Sequence, residues 1–298
     1  MSKKAGAHLA LAGANILYGI TYSVAKQVMP HHLNPFAFVF TRILGACILF
    51  WLFSMVRPNQ KIRKEDLLRL GFASVFGVAL NQTIFLNGLN LTTPIDAAII
   101  MTTTPILVLI FARLLLREPI TIFKIIGIGF GATGAVLLIL FSGEISFGNE
   151  HMVGNLMIIV NAASYGLYLV IVKPLLNKYH PITVMKWIFL SGLILVTPAG
   201  IPAVINTDWA NLSGGIILSI LYVVIGVTFL AYLLNLYSLK HVKPITVSIY
   251  IYSQPVIASI VAMIFLQDVV TFVKVISALL VFTGVYFVSY SSSRTENR

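Results

Sequence analysis

A chain of 298 residues with 58% hydrophobic and 10% charged residues, and a mean hydropathy of +0.95, cannot cover itself with a water-facing surface, because a soluble domain carries about 25% charged residues. The net charge of +11 would suit nucleic acid. However, Lys and Arg fall in short clusters between apolar runs, the pattern of membrane loops rather than of a basic stripe, so no nucleic-acid partner is expected. The lone cysteine, Cys47, excludes an intramolecular disulfide and a cysteine metal cluster.

A helix needs about 20 mostly apolar residues to cross the hydrocarbon layer. Runs of that kind lie at 8–28, 35–56, 67–88, 94–116 and 122–141 in the first half, and at 153–173, 182–204, 215–238, 244–266 and 272–290 in the second. They are twice as long as a barrel strand and do not alternate polar with apolar residues, so an all-α integral membrane protein of about ten spans is expected. The run after Lys3-Lys4 imitates a signal peptide, but it has an equivalent in the second half and is read as a retained first span.

Orientation follows from the basic residues. With both termini in the cytoplasm, 17 of the 20 Lys and Arg fall on that side, among them Arg63, Lys64, Lys178 and Lys240. Only Lys26 and Lys274 fall opposite, and Arg42 lies inside a span. This asymmetry calls for an even number of spans in a multi-pass protein of the cytoplasmic membrane.

The halves repeat. Pro94, Thr104-Pro105, Glu118, Thr121, Lys124 and Gly134 recur 150 residues later as Pro244, Gln254-Pro255, Asp268, Thr271, Lys274 and Gly284. Tyr18-Gly19 and Lys26 recur 147 residues later as Tyr165-Gly166 and Lys173. Residues 1–146 and 147–298 are therefore read as two five-helix repeats. An odd number of spans per copy makes the second enter from the opposite face. Inverted repeats of this kind are a scaffold for alternating access around a midplane site.

The stretch Thr104-Pro105, Arg117-Glu118-Pro119-Ile120-Thr121, Lys124, Gly127, Gly131 and Gly134 resembles the EamA-type permeases of the drug/metabolite transporter superfamily. So does its copy at Pro255, Asp268, Thr271, Lys274 and Gly284, with Asp268 in place of the more usual Glu and Ser277 where Gly is common. The resemblance covers nearly the whole chain. It implies a 5+5 inverted-repeat secondary active transporter, often an exporter of amino acids or related metabolites, with a cavity between the halves.

Several residues are candidates for that cavity. Pro105 and Pro255 lie mid-span, where proline removes a backbone hydrogen bond, and such a break survives in lipid only beside protein or cavity water. Thr102, Thr103, Ser253 and Gln254 flank these breaks. Asn81 and Gln82 in the third span, Asn15, Tyr18 and Tyr22 in the first, and Asn161, Tyr165 and Tyr168 in the sixth bring polar groups to helix faces that must turn into the bundle. The plainer alternatives are packing kinks, hydroxyls bonded back to their own helix, and interhelical hydrogen bonds.

Arg42, roughly 10 Å into its span, needs a partner or water. Asp96 lies at a similar height, so the two could pair as an external gate, a solute-carboxylate anchor or a proton-coupling element. The alternatives are snorkelling for Arg42 and a helix cap for Asp96, since Thr93-Pro94-Ile95-Asp96 has the pattern of a capped helix start. Glycines 127, 129, 131 and 134 point to close helix packing or dimerisation, leaving a monomer or a homodimer open. No HExxH, GxSxG or paired carboxylates appear, so an enzyme has little to work with. No metal or cofactor is expected. The partners expected are a small solute, protons and the lipid bilayer, and the alternatives are a membrane-embedded enzyme or a non-transporting scaffold.

Overall fold

In lipid every backbone N–H and C=O must be paired within the protein, and a helix does this by itself, so long apolar runs become helices. The computed structural model describes residues 3–56, 60–118, 121–140, 149–266 and 272–296, and among them the secondary structure is helical, with no strand. In chain order the helices are α1 (Lys3–Val28), α2 (Pro35–Met55), α3 (Lys64–Leu91), α4 (94–116), α5 (Ile122–Leu140), α6 (Asn149–Lys178), α7 (Pro181–Ile205), α8 (Gly214–His241), α9 (244–266) and α10 (Phe272–Glu296).

Among the described residues, seven helices are long and apolar enough to cross a membrane: α2, α3, α4, α6, α7, α8 and α9. α5 and α10 contribute shorter apolar stretches, Ile122–Gly134 and Val275–Gly284. α1 is outside this set because polar residues along it, among them His8, Asn15, Tyr18, Thr21 and Tyr22, lower its hydropathy, and Asn15, Thr21 and Tyr22 are buried in the bundle. Large apolar side chains such as Leu52, Leu68, Leu114, Ile194, Leu218 and Leu279 are exposed on the outside, as a lipid-covered surface requires.

The helix ends follow local chemistry. Asn34 and Thr93 each precede a proline, and their side chains accept from Phe36 N (2.9 Å) and Asp96 N (3.1 Å). α4 stops at Arg117, which takes the left-handed conformation with φ 55°. Just beyond, Glu118 lies 3.9 Å from the buried Lys124 amine. The matching Asp268 and Thr271, and the side chain of Lys274, lie outside the described residues.

The packing follows the repeat. α2 packs on α7 and α5 on α10, so each pairs with its own counterpart. α6 packs on α3 and α4, as α1 packs on α8 and α9. Two lysines repeat the same device. Lys26 Nζ donates to the carbonyls of Leu89, Asn90 and Thr92 (3.0, 2.8 and 2.9 Å), at the end of α3. Lys173 Nζ donates to those of Leu239 and Val242, at the end of α8. A cation there satisfies carbonyls that have no intrahelical donor and complements the helix dipole.

Gly127, Gly131 and Gly134 of α5 lie against α10 of the same chain, whereas Gly129 faces outward. A Cβ on Gly284 would lie 2.6 Å from Gly127 O and 2.8 Å from Gly131 N, and one on Gly134 would lie 2.8 Å from Ser277 O. Backbone atoms cannot step aside, so Gly284→Val is expected to lower stability by about 1–3 kcal/mol, read as a fall in the thermal midpoint in detergent. Gly129→Ala, whose Cβ meets nothing within 4 Å, is expected to leave the midpoint unchanged or to raise it. Equal behaviour of the two variants would contradict this packing.

Candidate functional site

Proline lacks the N–H that would pair one turn back. Ahead of Pro105 and Pro255 the helices tighten into 3₁₀ turns, Met101–Thr103 in α4 and Tyr250–Tyr252 in α9. Nearby hydroxyls bond locally: Thr102 Oγ1 donates to Ile99 O (2.6 Å), Thr103 Oγ1 to Ile100 O (2.8 Å) and Ser253 Oγ to Tyr250 O (2.6 Å). α3 and α8 loosen instead, with π-helical stretches at Val75–Ala79 and Tyr222–Ala231. A π turn takes carbonyls off the regular ladder, and other donors must reach them. Ser164 Oγ donates to Phe76 O (2.7 Å), the Tyr232 hydroxyl to Gly77 O (3.1 Å) and Thr228 Oγ1 to Val223 O (2.7 Å).

These irregular segments border a cavity between the halves. α1 supplies Tyr18, Thr21 and Tyr22 to its wall, and α3 supplies Asn81, Gln82 and Phe85. Tyr165 and Asn161 come from α6, Tyr232 and Val227 from α8, Gln254 and Ile251 from α9, Met101 from α4 and Arg42 from α2.

The amides of the wall have fixed roles. Asn15 Nδ2 donates to Leu11 O (2.9 Å), so Asn15 Oδ1 faces Gln254 and accepts from its Nε2 (2.8 Å). Gln254 Oε1 then accepts the Tyr22 hydroxyl (2.7 Å). This chain ties α9 to α1. Asn81 and Asn161 exchange bonds with each other's backbone carbonyls (3.3 and 2.8 Å), tying α3 to α6. Asn235 Nδ2 lies 3.1 Å from both the Tyr18 and Tyr165 hydroxyls, which occupy matching positions in the two halves.

Arg42 is 3% exposed and does not snorkel. Its Nε donates to Thr228 Oγ1 (2.9 Å), a hydroxyl whose own proton is committed to Val223 O. The expected pair with Asp96 is not formed: among the described residues no hydrogen bond or ion pair joins them. Similar depth in two spans says nothing about azimuth, and Asp96 is the third residue of α4, capped by Thr93. Arg42 Nη1 is buried without a partner, and so is Gln82 Oε1.

Of the residues expected from sequence to line a cavity, the structure brings together Tyr18, Tyr22, Asn81, Gln82, Asn161, Tyr165 and Gln254. Thr102, Thr103 and Ser253 bond back to their own helices, and Tyr168 packs its ring against Gly77. None of these four is in the wall. Sequence reasoning missed Thr21, Phe85, Met101, Val227, Tyr232 and Ile251. The repeat offered one signal, because Tyr232 lies 150 residues after Gln82, and the two side chains bond (Nε2 to Oη, 3.2 Å).

Residues 5–140 and 152–290 each match the EamA-like transporter family. The chain is 28% identical to a protein of Archaeoglobus fulgidus named "Uncharacterized transporter", over 94% of this chain and 97% of that one. It is 27% identical to "Uncharacterized transporter YetK" of Bacillus subtilis, over 96% and 87%. It is also 23% identical to "Protein WALLS ARE THIN 1" of Arabidopsis thaliana, over 96% and 83%. A solved crystal structure superposes with a TM-score of 0.78 at 17% identity, covering 97% of this chain and 99% of the other, which is a likeness of fold.

The hydrogen-bond chain makes a prediction. Gln254→Leu strands the Tyr22 hydroxyl and Asn15 Oδ1 and is expected to cost about 1–3 kcal/mol for each group left unpaired in a buried site. Thr103→Val removes a hydroxyl bonded only within its own helix turn and is expected to change stability by less than about 0.5 kcal/mol. Thermal unfolding of the two single variants checks this.

Proposed function

The chain belongs to the EamA-like transporter family, and from that premise we propose that it is a secondary active transporter exporting small metabolites such as amino acids across the cytoplasmic membrane by alternating access. The membrane-embedded character and the transport class follow from the family and the apolar helices. The observation that carries the finer reading is the cavity between the halves, together with a closure at one end of it.

That closure joins the start of α3 to the end of α6. Lys178 Nζ lies 2.8 and 3.1 Å from the two Asp66 carboxylate oxygens, and the Tyr179 hydroxyl donates to Asp66 Oδ2 (2.8 Å). Arg63 N donates to the Tyr179 hydroxyl (3.1 Å), and His180 N to Gln60 Oε1 (2.7 Å). Gln82 is 16 residues along α3 from Asp66, which puts the cavity roughly 24 Å from the lock. Thr21 and Tyr22 lie near the opposite end of α1, so the space is displaced away from the lock.

With both termini in the cytoplasm, as the Lys and Arg distribution favours, the lock closes the cytoplasmic end and the cavity belongs to an outward-facing state. Two separate family matches, one in each half, support the reading of 1–146 and 147–298 as two five-helix repeats in a ten-span bundle. Packing of each half on the other at counterpart helices supports alternating access by rocking about the cavity.

The test is flux in proteoliposomes of the purified chain, with labelled amino acids, nucleosides and cationic drugs, with and without a pH gradient. Saturable flux of one class is expected, with amino acids the favoured class, and acceleration by the gradient would identify proton coupling. A folded preparation that moves none of these solutes would contradict the proposal.

A further inference from the structure

The wall of the cavity holds two buried polar atoms that the protein itself leaves unpaired, and they differ in kind. Arg42 Nη1 is a charged donor and Gln82 Oε1 is an acceptor. Both residues line the same cavity, at 3% and 2% exposure.

Neither orientation is arbitrary. Thr228 gives its proton to Val223 O and accepts Arg42 Nε, which fixes the plane of the guanidinium. Tyr232 gives its proton to Gly77 O, so its oxygen can only accept from Gln82. The Gln82 NH₂ is committed there, and the carbonyl oxygen is the end turned elsewhere. A swapped amide would face Tyr232 with no proton to receive.

Among the described residues that line the cavity, Arg42 carries the only charge. A guanidinium stays protonated in a protein, and a buried charge without a counter-ion is unfavourable. Among the described residues the wall contains no carboxylate to neutralise it. Resting on the reading of this cavity as the solute site, we infer that Arg42 anchors the carboxylate of a monoanionic solute, that Gln82 Oε1 accepts a hydrogen bond from an N–H or O–H on the same solute, and that the apolar body lies against Phe85, Met101, Val227 and Ile251.

A single cation suits one carboxylate and not a polyanion. The amide and tyrosine groups around it are neutral, so an ammonium or hydroxyl substituent on the solute meets an acceptor and no repelling lysine. Cationic solutes without a carboxylate are disfavoured by Arg42 itself.

The test uses four probes that share one branched apolar body: leucine, 4-methylpentanoate, 4-methylpentanamide and 3-methylbutylamine. Each is titrated against the thermal midpoint of the full-length chain in detergent, at constant chloride. Leucine is expected to bind best and 4-methylpentanoate next, with the amide and the amine weaker by at least about tenfold, the scale of one hydrogen bond to a charged group. Arg42→Met, which removes a buried charge rather than creating one, is expected to abolish the preference for carboxylate over amide. Arg42→Lys is expected to keep the preference at reduced affinity. Gln82→Leu is expected to bring leucine down to the level of 4-methylpentanoate. Equal binding of carboxylate and amide, an unchanged preference in Arg42→Met, or no shift with any of the four probes would overturn the inference. Flux separates the two readings. Saturable flux of a neutral or cationic solute that Arg42→Met leaves unchanged would keep transport and remove the anchor. Carboxylate-selective binding without flux would keep the anchor and remove transport.

Discussion

The absence of water in the hydrocarbon layer, which obliges each backbone polar group to find its partner within the protein, governs the rest of this structure. Regular helices meet the obligation by themselves. Where the helix departs from regularity, side chains complete the pairing, and the hydroxyls of Ser164, Tyr232 and Thr228 reach the carbonyls freed by π turns in α3 and α8. At the ends of the same two helices, Lys26 and Lys173 supply donors to the last carbonyls. The irregular segments are thus compensated, and they lie where the cavity is.

On the reading of the chain as two repeats, duplication accounts for the frame, and departures from it mark the proposed site. Gln82 and Tyr232 are separated by the repeat offset and bond each other, and Tyr18 and Tyr165, at the other offset, meet around Asn235. Arg42, the eighth residue of α2, has no charged equivalent, since the eighth residue of α7 is Ile188, fully buried in the core. Asp66 likewise corresponds to Ile216. On the proposed reading a solute needs one anchor, and a structure closed at one end needs one lock, and both proposed elements fall where the two halves differ.

Much of this was legible in the sequence. The apolar runs matched the helices closely in the middle, but α1, α3, α6 and α10 extend past the expected spans into polar residues such as Lys64 and Lys178, because helices continue beyond the hydrocarbon wherever caps and packing allow. Depth along the chain could be read as well, so the amides and tyrosines that meet at the cavity were largely identified. Azimuth could not be read. Arg42 bonds Thr228 while Asp96 sits in the first turn of α4, and Tyr168, one turn from Tyr165, turns to Gly77. The hydroxyls beside the prolines satisfied their own turns, as Thr and Ser do in helices. Thr228 and Tyr232 were hidden in an uninterrupted apolar run, and only partners from the other half give them meaning.

The most direct measurement is the sidedness of the cavity. With Cys47→Ser removing the native thiol, a cysteine in place of Thr21 puts one probe in the wall. Impermeant thiol reagents applied to oriented vesicles should label it from the face opposite the Asp66–Lys178 lock, and transported solute should slow that labelling. Equal labelling from both faces, or labelling indifferent to solute, would contradict the account.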